Sequence, residues 1–360
     1  MGHCLRRRPY HRDGLAFAAA GADAGRYGTG TIQGKQPMTH GPAGPWSALL
    51  HPFSWVYGPL SARQISRKQQ RAVRVNVPVI SVGNLAVGGT GKSPFVRLLV
   101  GWLQEAGHQP AIAMRGYGAA NPNEADEVRE HRLACPDVPV LAGPDRAFEI
   151  QKAQREGVAF DCVVLDDGFQ HTQLARDLDV VLVDGTRPPA QTTTLPAGWL
   201  REPAAGLQRA NAWVISGPMG PEDQMATAQL AGQSALAEVR AVWQGVHTPQ
   251  GDEVSVQGKR CVVMAGIARP ERVREALVEA GGIVAAMPPL ADHDPISSGR
   301  LDQFRVLSSE ADALVLTAKD AARLGDRLQG WPVPVWIPRV ALEVSSGEAA
   351  LRKRVLSVLQ

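Results

Sequence analysis

Short apolar segments alternate with longer stretches of helical or loop character through the first two thirds of this chain. The apolar segments at 77–82, 111–114, 138–141, 160–165, 180–183 and 213–216 predict buried strands. The stretch 94–106 has apolar side chains at helical spacing, and Gly107 comes next as a stop signal. Strands that alternate with helices predict an α/β fold with a parallel sheet and helices on both faces, here over 76–236.

From residue 237 onward the pattern changes. Residues 238–243 alternate polar and apolar, 248–253 form a turn, and 254 begins a second alternation, which predicts a two-stranded β ribbon over 237–258. Segments 261–265, 282–287, 313–316 and 333–337 then predict strands, and 270–280 predicts a helix. The ribbon is therefore expected to join the first domain to a smaller C-terminal α/β domain over 259–360.

Residues 1–37 differ from the rest of the chain. They are rich in Gly, Ala and Arg, and they lack sustained apolar periodicity. The apolar stretch 15–20 is too short for an export signal, because Gly21 and Asp23 end it. We interpret this segment as a disordered tail or as sequence upstream of a true start at Met38.

The segment 38–75 combines an aromatic part with a basic part. Residues 46–57 include two tryptophans and no charged residue, and residues 60–74 carry five Arg or Lys and no acid. Such a segment is typical of a helix that lies in a membrane interface. A helix packed on the domain, with its basic side chains in water, fits the composition as well. No apolar run reaches the roughly 18 residues that a membrane span needs.

Composition excludes few classes of function. A net charge of +3 over 360 residues gives no electrostatic reason to expect a nucleic-acid partner. The four cysteines lie far apart with no C-x-x-C pair, which argues against a zinc site and a disulfide scaffold and fits a reducing compartment.

The chemistry centres on a glycine-rich loop between the first strand and the first helix. Its octet is Ala86, Val87, Gly88, Gly89, Thr90, Gly91, Lys92 and Ser93. It matches the phosphate-loop pattern G-x-x-x-x-G-K-[ST], except that Ala86 replaces the first Gly. Glycines let backbone N–H groups turn toward a phosphate, Lys92 can reach the β and γ phosphates, and Ser93 can bind Mg²⁺. The alternative is a glycine-rich turn with a solvent-exposed lysine.

A pair of carboxylates supports the phosphate-loop interpretation. Asp166 and Asp167 end the predicted strand 160–165, and an acid in that place usually holds the magnesium of a phosphate loop. The alternative is an Asp-capped turn. Because ligands of parallel sheets bind beyond the carboxyl ends of the strands, other polar groups at strand ends are expected in the same crevice. They are Arg115, Asp126, Glu127, Asp145, Arg146 and Asp184.

Eight motifs in a fixed order resemble one family. They are VGNLAVGGTGKSP (82–94), RGYG (115–118), LDDGFQH (165–171), LARDLDVVLVD (174–184), LPAGWLREP (195–203), AGIARPERV (265–273), ADHDPIS (291–297) and LTAKDAARL (316–324). Together they resemble the tetraacyldisaccharide 4′-kinase family of lipid A biosynthesis, from about Trp46 to the C-terminus.

The resemblance implies a monotopic enzyme on the cytoplasmic face of the bacterial inner membrane. It implies transfer of the γ-phosphoryl group of ATP to the 4′-hydroxyl of a lipid disaccharide 1-phosphate, with Mg²⁺, to give lipid IVA. The expected partners are this lipid and the membrane surface that meets residues 46–74. We expect a monomer that binds no nucleic acid.

The resemblance also assigns roles to residues. Its implied catalytic residues are Lys92, Asp126 and His293, with His293 pairing with Asp126. Its implied metal ligands are Ser93, Glu127, Asp166 and Asp167. Its implied substrate contacts are Asn84, Arg115, Gln170, His171 and Arg201. The chain departs from the usual family motifs at Ala86, Ser93, Met114, Ala125 and Ala318. Ala125 weakens the match of Asp126 to the family's catalytic carboxylate. Ala318 weakens the match of its loop to the family motif, and with it any role inferred for that loop.

Two other functions remain alternatives. The first is a membrane-associated P-loop ATPase that works as a switch, although Val87 stands where those proteins carry a signature Lys. The second is a soluble small-molecule kinase whose front helix is packed on the core. A lone His between carboxylates, as at 292–294, is also a common feature of surface loops.

Overall fold

The structure is a computed structural model that describes residues 44–117, 121–267, 270–291 and 294–359. The interpretation of residues 1–37 and the role assigned to His293 concern residues outside this described part. The described residues all belong to one compact unit, Met38–Gln360.

The larger part of the sheet confirms the six strands predicted in the first half of the chain. They are β1 (Val79–Asn84), β2 (Pro110–Met114), β3 (Val140–Ala142), β4 (Cys162–Leu165), β5 (Leu178–Asp184) and β6 (Ala212–Ser216). All pair in parallel, in the order β6-β5-β1-β4-β2-β3. Boundaries shift by about two residues at most, as expected for strand ends.

Helices cover both faces of this sheet. Over all the described residues, in both parts of the molecule, the α-helices are α1 (His51–Gln69), α2 (Lys92–Glu105), α3 (Asp126–Ala134), α4 (Arg146–Arg155), α5 (Pro221–Ala231), α6 (Glu271–Glu279), α7 (Ser298–Ser308), α8 (Ala318–Leu324) and α9 (Glu348–Leu356). Short 3-10 helices occupy Gly44–Leu50, Pro122–Glu124, Pro189–Gln191, Ala204–Arg209 and Gly325–Leu328. In β1, Ile80 and Val82 pack with Leu99 of α2, whereas Val79 packs with Ile150 of α4 on the opposite face. This alternation confirms the predicted two-sided fold.

The smaller part of the same sheet is also built from parallel strands. Its strands are β9 (Arg260–Met264), β10 (Ile283–Ala286) and β11 (Ala313–Leu316), in the order β10-β9-β11. We call these strands with α6, α7 and α8 the small lobe, and β1 to β6 with α2 to α5 the large lobe. The strands confirm the smaller α/β region, while the exact domain limits remain a prediction.

The predicted ribbon is present, but its first strand has a second and longer partner that the sequence did not indicate. The remaining strands are β7 (Ala237–His247), β8 (Glu253–Val254) and β12 (Val335–Ser346). β8 pairs with β7 only at Val254 and Glu253. The main partner of β7 is β12, which runs antiparallel to it from Ile337 to Ser346 after pairing with β11 at its start. Alternation along 238–243 marks a strand, but it cannot identify a partner about a hundred residues away.

Helix α1 is buried along a narrow face, and most of its apolar side chains are exposed. Its buried residues are Ser54, Gly58 and Ile65. The Ser54 hydroxyl donates to the Thr194 carbonyl at 2.8 Å, and the Thr194 hydroxyl donates to the Ser54 carbonyl at 3.0 Å. Its exposed apolar side chains are Phe53, Trp55, Val56, Tyr57 and Leu60, with Trp55 74% and Phe53 64% exposed. Among the described helices, none is long and apolar enough to cross a membrane.

Candidate functional site

The glycine-rich loop has the backbone that the phosphate-loop prediction requires. It leaves β1 at Asn84 and enters α2 at Lys92. Gly88 and Gly91 have φ angles of 106° and 81°, which side-chain-bearing residues rarely adopt. Pro94 lies in the first turn of α2, where its missing N–H leaves no hydrogen bond unmade. The N-terminus of α2 therefore opens directly from the loop and favours an anion.

Lys92 is held at the mouth of this loop. Its Nζ donates to Asn84 Oδ1 at 3.2 Å and lies 3.6 Å from Asp167 Oδ1. Asn84 in turn donates through Nδ2 to the Thr90 hydroxyl at 3.1 Å, and its side chain is fully buried. Asn84 therefore shapes the loop, and the substrate contact expected for it remains a prediction.

Asp166 is the buried member of the carboxylate pair. Only 4% of the residue is exposed, and its Oδ2 lies 2.8 Å from His131 Nε2, which is fully buried on α3. Burial works to raise the pKa of Asp166, but the hydrogen bond and charge of His131, with Lys92 and Ser93, outweigh it and lower the pKa. Asp166 is thus a carboxylate at neutral pH, next to Ser93 at the start of α2.

Asp167 faces the phosphate loop from a strained backbone position. Its φ of 52° is unusual for a residue other than glycine. Arg201 Nη1 donates to both of its carboxylate oxygens, at 2.9 and 2.8 Å. Burial works to raise the pKa of Asp167, but Lys92 and Arg201 together lower it. Arg201 therefore lies at the phosphate loop and orients this acid, and the substrate contact expected for it remains a prediction.

Glu127 projects from the first turn of α3 toward the same carboxylates. Burial, followed by the negative charge of Asp166, raises its pKa, while Lys319 and Lys92 work in the opposite direction. Because its surroundings disfavour the ionised form of Glu127, a nearby cation would stabilise this carboxylate. Glu127 is therefore suited to the metal role that the sequence assigned to it.

Asp126, the predicted catalytic carboxylate, is contacted by the small lobe. Arg323 of α8 donates from Nε to Asp126 Oδ2 at 3.0 Å. The same guanidinium donates from Nη1 to Asp320 Oδ1 at 3.1 Å and to the Asp294 carbonyl at 2.8 Å. The Asp126–His293 pair itself involves a residue outside the described part of the chain, so it remains a prediction.

Gln170 links the phosphate loop to the LPAGWLREP segment. Its Nε2 donates to the Asn84 carbonyl at 2.8 Å and to Glu202 Oε1 at 2.9 Å, and Arg209 neutralises the buried Glu202. Gln170 therefore has a supporting role in the structure. Its contact with a substrate remains a prediction.

Two other predicted substrate residues lie away from Lys92. Arg115 is exposed, and its guanidinium stacks on the ring of Tyr117, 5.5 Å from the centroid. His171 lines a separate cavity beside the end of α1. Neither residue lines the cavity at the phosphate loop.

A cavity of about 440 Å³ lies between the two lobes and is lined by residues of both. Its lining residues are Gly88, Gly89, Thr90, Gly91, Lys92, Ser93, Pro94, Glu127, Glu130, Asp166, Asp167, Arg201, Ile267 and Lys319. Among the described residues, no three His, Cys, Asp or Glu side chains form a metal-binding group. Ser93, Asp166 and Glu127 nevertheless offer a hydroxyl and carboxylate oxygens, the donors that Mg²⁺ takes together with phosphate oxygens.

Four site residues were missed from the sequence. His131 is one helical turn from Glu127, and this i, i+4 spacing to a metal-site candidate is a signal that points to it. Arg187 is held by Asp184 at 3.0 Å, and its guanidinium lies 3.5 Å from where a Cβ on Gly88 would stand. Lys319 and Arg323 lie in the LTAKDAARL motif of the small lobe, but that motif did not indicate a contact with the large lobe.

Comparison with known proteins gives the family. The family model described as tetraacyldisaccharide-1-P 4′-kinase matches residues 46–360. The chain belongs to this family. This agrees with the resemblance carried by the eight motifs, and it makes the chain a kinase of lipid A biosynthesis rather than a P-loop switch ATPase.

Relatives of the family agree in length and fold. The tetraacyldisaccharide 4′-kinase of Gluconobacter oxydans is 33% identical over 324 residues, which cover 86% of this chain and 93% of that protein. The kinase of Afipia carboxidovorans is 34% identical over 300 residues, with 79% and 85% covered. A crystal structure of LpxK from Aquifex aeolicus in complex with ATP has a TM-score of 0.69 at 24% identity, covering 87% of this chain and 99% of that one. The last comparison confirms the fold.

Proposed function

We propose that the chain transfers the γ-phosphoryl group of ATP to the 4′-hydroxyl of a tetraacyldisaccharide 1-phosphate at a membrane surface. The observation that carries the proposal is the cavity between the lobes. It brings Lys92 and the N-terminus of α2 together with the carboxylates of Asp166 and Asp167. Phosphoryl transfer requires a cation and backbone donors that bind the phosphates. It also requires acids on the facing side that can hold a metal ion.

The phosphate loop holds the nucleotide phosphates in this mechanism. Backbone N–H groups between Gly88 and Ser93 surround the β-phosphate, and Lys92 neutralises charge that shifts toward the β–γ bridge. Asp167, anchored by Arg201 at 2.8 Å, keeps Lys92 extended toward the phosphates. Ser93, Asp166 and Glu127 would hold Mg²⁺, which supplies positive charge to the phosphate oxygens when it is bound.

Asp126 is the group we assign to the acceptor hydroxyl. It opens α3 directly before Glu127, which lines the cavity at the phosphate loop. As the hydroxyl oxygen attacks phosphorus, its proton passes to the Asp126 carboxylate, and ADP leaves with the electron pair of the broken P–O bond. The ion pair with Arg323 sets the direction of this carboxylate.

The membrane surface is the proposed location of the acceptor. The acyl chains of the lipid must stay in an apolar phase, and α1 offers Phe53, Trp55 and Leu60 outward. The face with Ser54, Gly58 and Ile65 packs on the rest of the protein, which leaves these apolar side chains on the exposed side of α1. We therefore propose a peripheral, monotopic enzyme on the cytoplasmic face of the inner membrane, active as a monomer.

The experiment is transfer of labelled γ-phosphate from ATP to a tetraacyldisaccharide 1-phosphate in mixed micelles. Wild type is compared with Lys92→Ala and Asp126→Ala. Transfer by wild type, with loss of roughly 10³-fold in kcat in either variant, supports the proposal. Wild type that binds ATP and transfers nothing to the lipid would contradict it.

A further inference from the structure

The acids that line the cavity at the phosphate loop differ in how many of their oxygens the protein already engages. Among the described residues they are Glu127, Glu130, Asp166 and Asp167. Arg201 donates to both oxygens of Asp167, and Arg97 Nη1 donates to Glu130 Oε1 at 3.0 Å. His131 Nε2 lies 2.8 Å from Asp166 Oδ2. Three of these four acids therefore have at least one oxygen that faces a basic side chain.

His131 is a polar side chain on the buried face of α3. The buried residues of this helix are Val128 and His131, and both are fully buried. The Nδ1 atom of His131 has no hydrogen-bond partner among the described residues. The bond to Asp166 is therefore the only hydrogen bond that the described residues give this imidazole, and any effect of His131 on the site passes through that carboxylate.

The direction of this hydrogen bond follows from the chemistry of its two partners. An ionised carboxylate can only accept, so Nε2 of His131 carries a proton and donates it to Asp166 Oδ2. Asp166 comes directly after β4, whereas His131 lies on α3. The bond thus holds Oδ2 on the side of α3, and it leaves the other oxygen of Asp166 for a cation beside Ser93.

Mg²⁺ and Ca²⁺ use carboxylates in different ways. Ca²⁺ takes about six to eight oxygen ligands in a flexible geometry, and a carboxylate can supply both of its oxygens to it. Mg²⁺ is smaller and needs a near-octahedral shell, which one or two carboxylates complete together with phosphate oxygens and water. An acid with one oxygen held by the protein therefore suits the smaller cation.

We propose that His131 is a positioning residue that makes the site selective for Mg²⁺ over Ca²⁺. It does so by holding Oδ2 of Asp166 against α3, so that this carboxylate meets the cation of the nucleotide through one oxygen. The inference rests on the metal role of Asp166 in the proposed function and deepens it. Without the imidazole, both oxygens of Asp166 are free to turn toward the cavity, and the larger cation gains the most from the additional ligand.

The test measures the affinity of the full-length protein for ATP by isothermal titration calorimetry, with either Mg²⁺ or Ca²⁺ as the only divalent cation. The readout is the ratio of the Kd of ATP with Ca²⁺ to its Kd with Mg²⁺. Wild type is compared with His131→Leu, which removes the donor, and with His131→Gln, which retains one. If His131→Leu does not fold, His131→Asn takes its place, because its shorter side chain ends before Asp166.

A control variant separates metal selection from a general loss of stability. Val263→Ala removes apolar contacts of a fully buried side chain in β9 of the small lobe, and Val263 does not line the cavity. This variant is destabilised without any change near Asp166, so its ratio of the two Kd values should equal that of wild type.

The expected result is a change in the preference between the two cations. Wild type binds ATP more tightly with Mg²⁺ than with Ca²⁺, and in His131→Leu this preference falls by about tenfold. His131→Gln keeps more of the preference than His131→Leu does. Binding requires no lipid acceptor, so these ratios test His131 even if wild type transfers no phosphate to the lipid, a result that would refute only the proposed function.

Three results would overturn the inference. In the first, wild type binds ATP equally well with both cations. In the second, His131→Leu weakens binding by the same factor with Mg²⁺ and with Ca²⁺, or Val263→Ala lowers the preference as much as His131→Leu does. In the third, His131→Gln loses as much of the preference as His131→Leu, which would show that the donated hydrogen bond is not its cause.

Discussion

Arg323 of the small lobe donates a hydrogen bond to Asp126 of the large lobe, with 3.0 Å between Nε and Oδ2. The guanidinium is itself anchored, because Asp320 accepts from its Nη1 while also accepting from the Gly266 N–H at 3.0 Å. Asp320 is fully buried, so this anchor is rigid. The direction of the Asp126 carboxylate is thus set from across the cleft.

We expect Arg323→Ala to lower kcat by about 10²-fold with little change in the KM for ATP, because a misdirected carboxylate no longer meets the acceptor hydroxyl. The matched control is Arg129→Ala. Arg129 joins the same two helices through the Ala322 carbonyl at 3.4 Å without contacting Asp126. Steady-state kinetics of both variants measure the difference.

A double-mutant cycle separates positioning from folding. In an Asp126→Ala background, removal of Arg323 should change kcat by less than about twofold, because its partner is already gone. Independent, multiplicative losses in the double variant would show that Arg323 acts through the general stability of the small lobe instead.

The buried His131–Asp166 pair predicts a loss of stability. We expect His131→Leu to lower the free energy of unfolding by about 2 kcal/mol, because it leaves a buried carboxylate without its hydrogen bond. Urea unfolding monitored by circular dichroism measures the change. His131→Gln, which retains a donor, should lose less. If His131→Leu is as stable as wild type, the pair is not formed in solution.

His171 predicts a dependence of stability on pH. Its folded pKa of about 4 lies below the ordinary value of 6.5, so between these values the unfolded chain binds a proton that the folded chain does not. Stability from this group is therefore full above about pH 6.5 and falls as the pH drops toward 4. Between pH 7 and pH 5, wild type should lose about 2 kcal/mol more than His171→Gln. Equal losses in urea unfolding would refute the lowered pKa.

The outward face of α1 predicts membrane binding that depends on its aromatic side chains. We expect the double variant Phe53→Ser, Trp55→Ser to lower the partition into lipid vesicles by about tenfold or more, since each change removes a large apolar contact with the lipid. Val306→Ser is the matched control, because Val306 is 71% exposed on α7 of the small lobe. Unchanged co-sedimentation of the double variant would argue that α1 does not lie in the membrane interface.

The sequence alone determined the strands, the phosphate loop and the family. Each of these depends on a short stretch of chain: periods of two and 3.6 residues mark elements, and AVGGTGKS encodes its own backbone turn through glycine. Eight ordered motifs then identified the kinase family, although several of their residues have roles in the structure that the motifs did not indicate. Asn84 and Gln170, for example, bond within the site framework.

Only the tertiary structure decided which remote residues meet. The period of β7 did not reveal β12 as its partner, and nothing around Asp126 points to Arg323, 197 residues later. Helix α1 shows the same limit. Its composition did not indicate which side chains are exposed; docking through Ser54 and Gly58 leaves Phe53 and Trp55 outward. Local patterns constrain each element's own conformation, whereas partners and exposure depend on how all the elements pack.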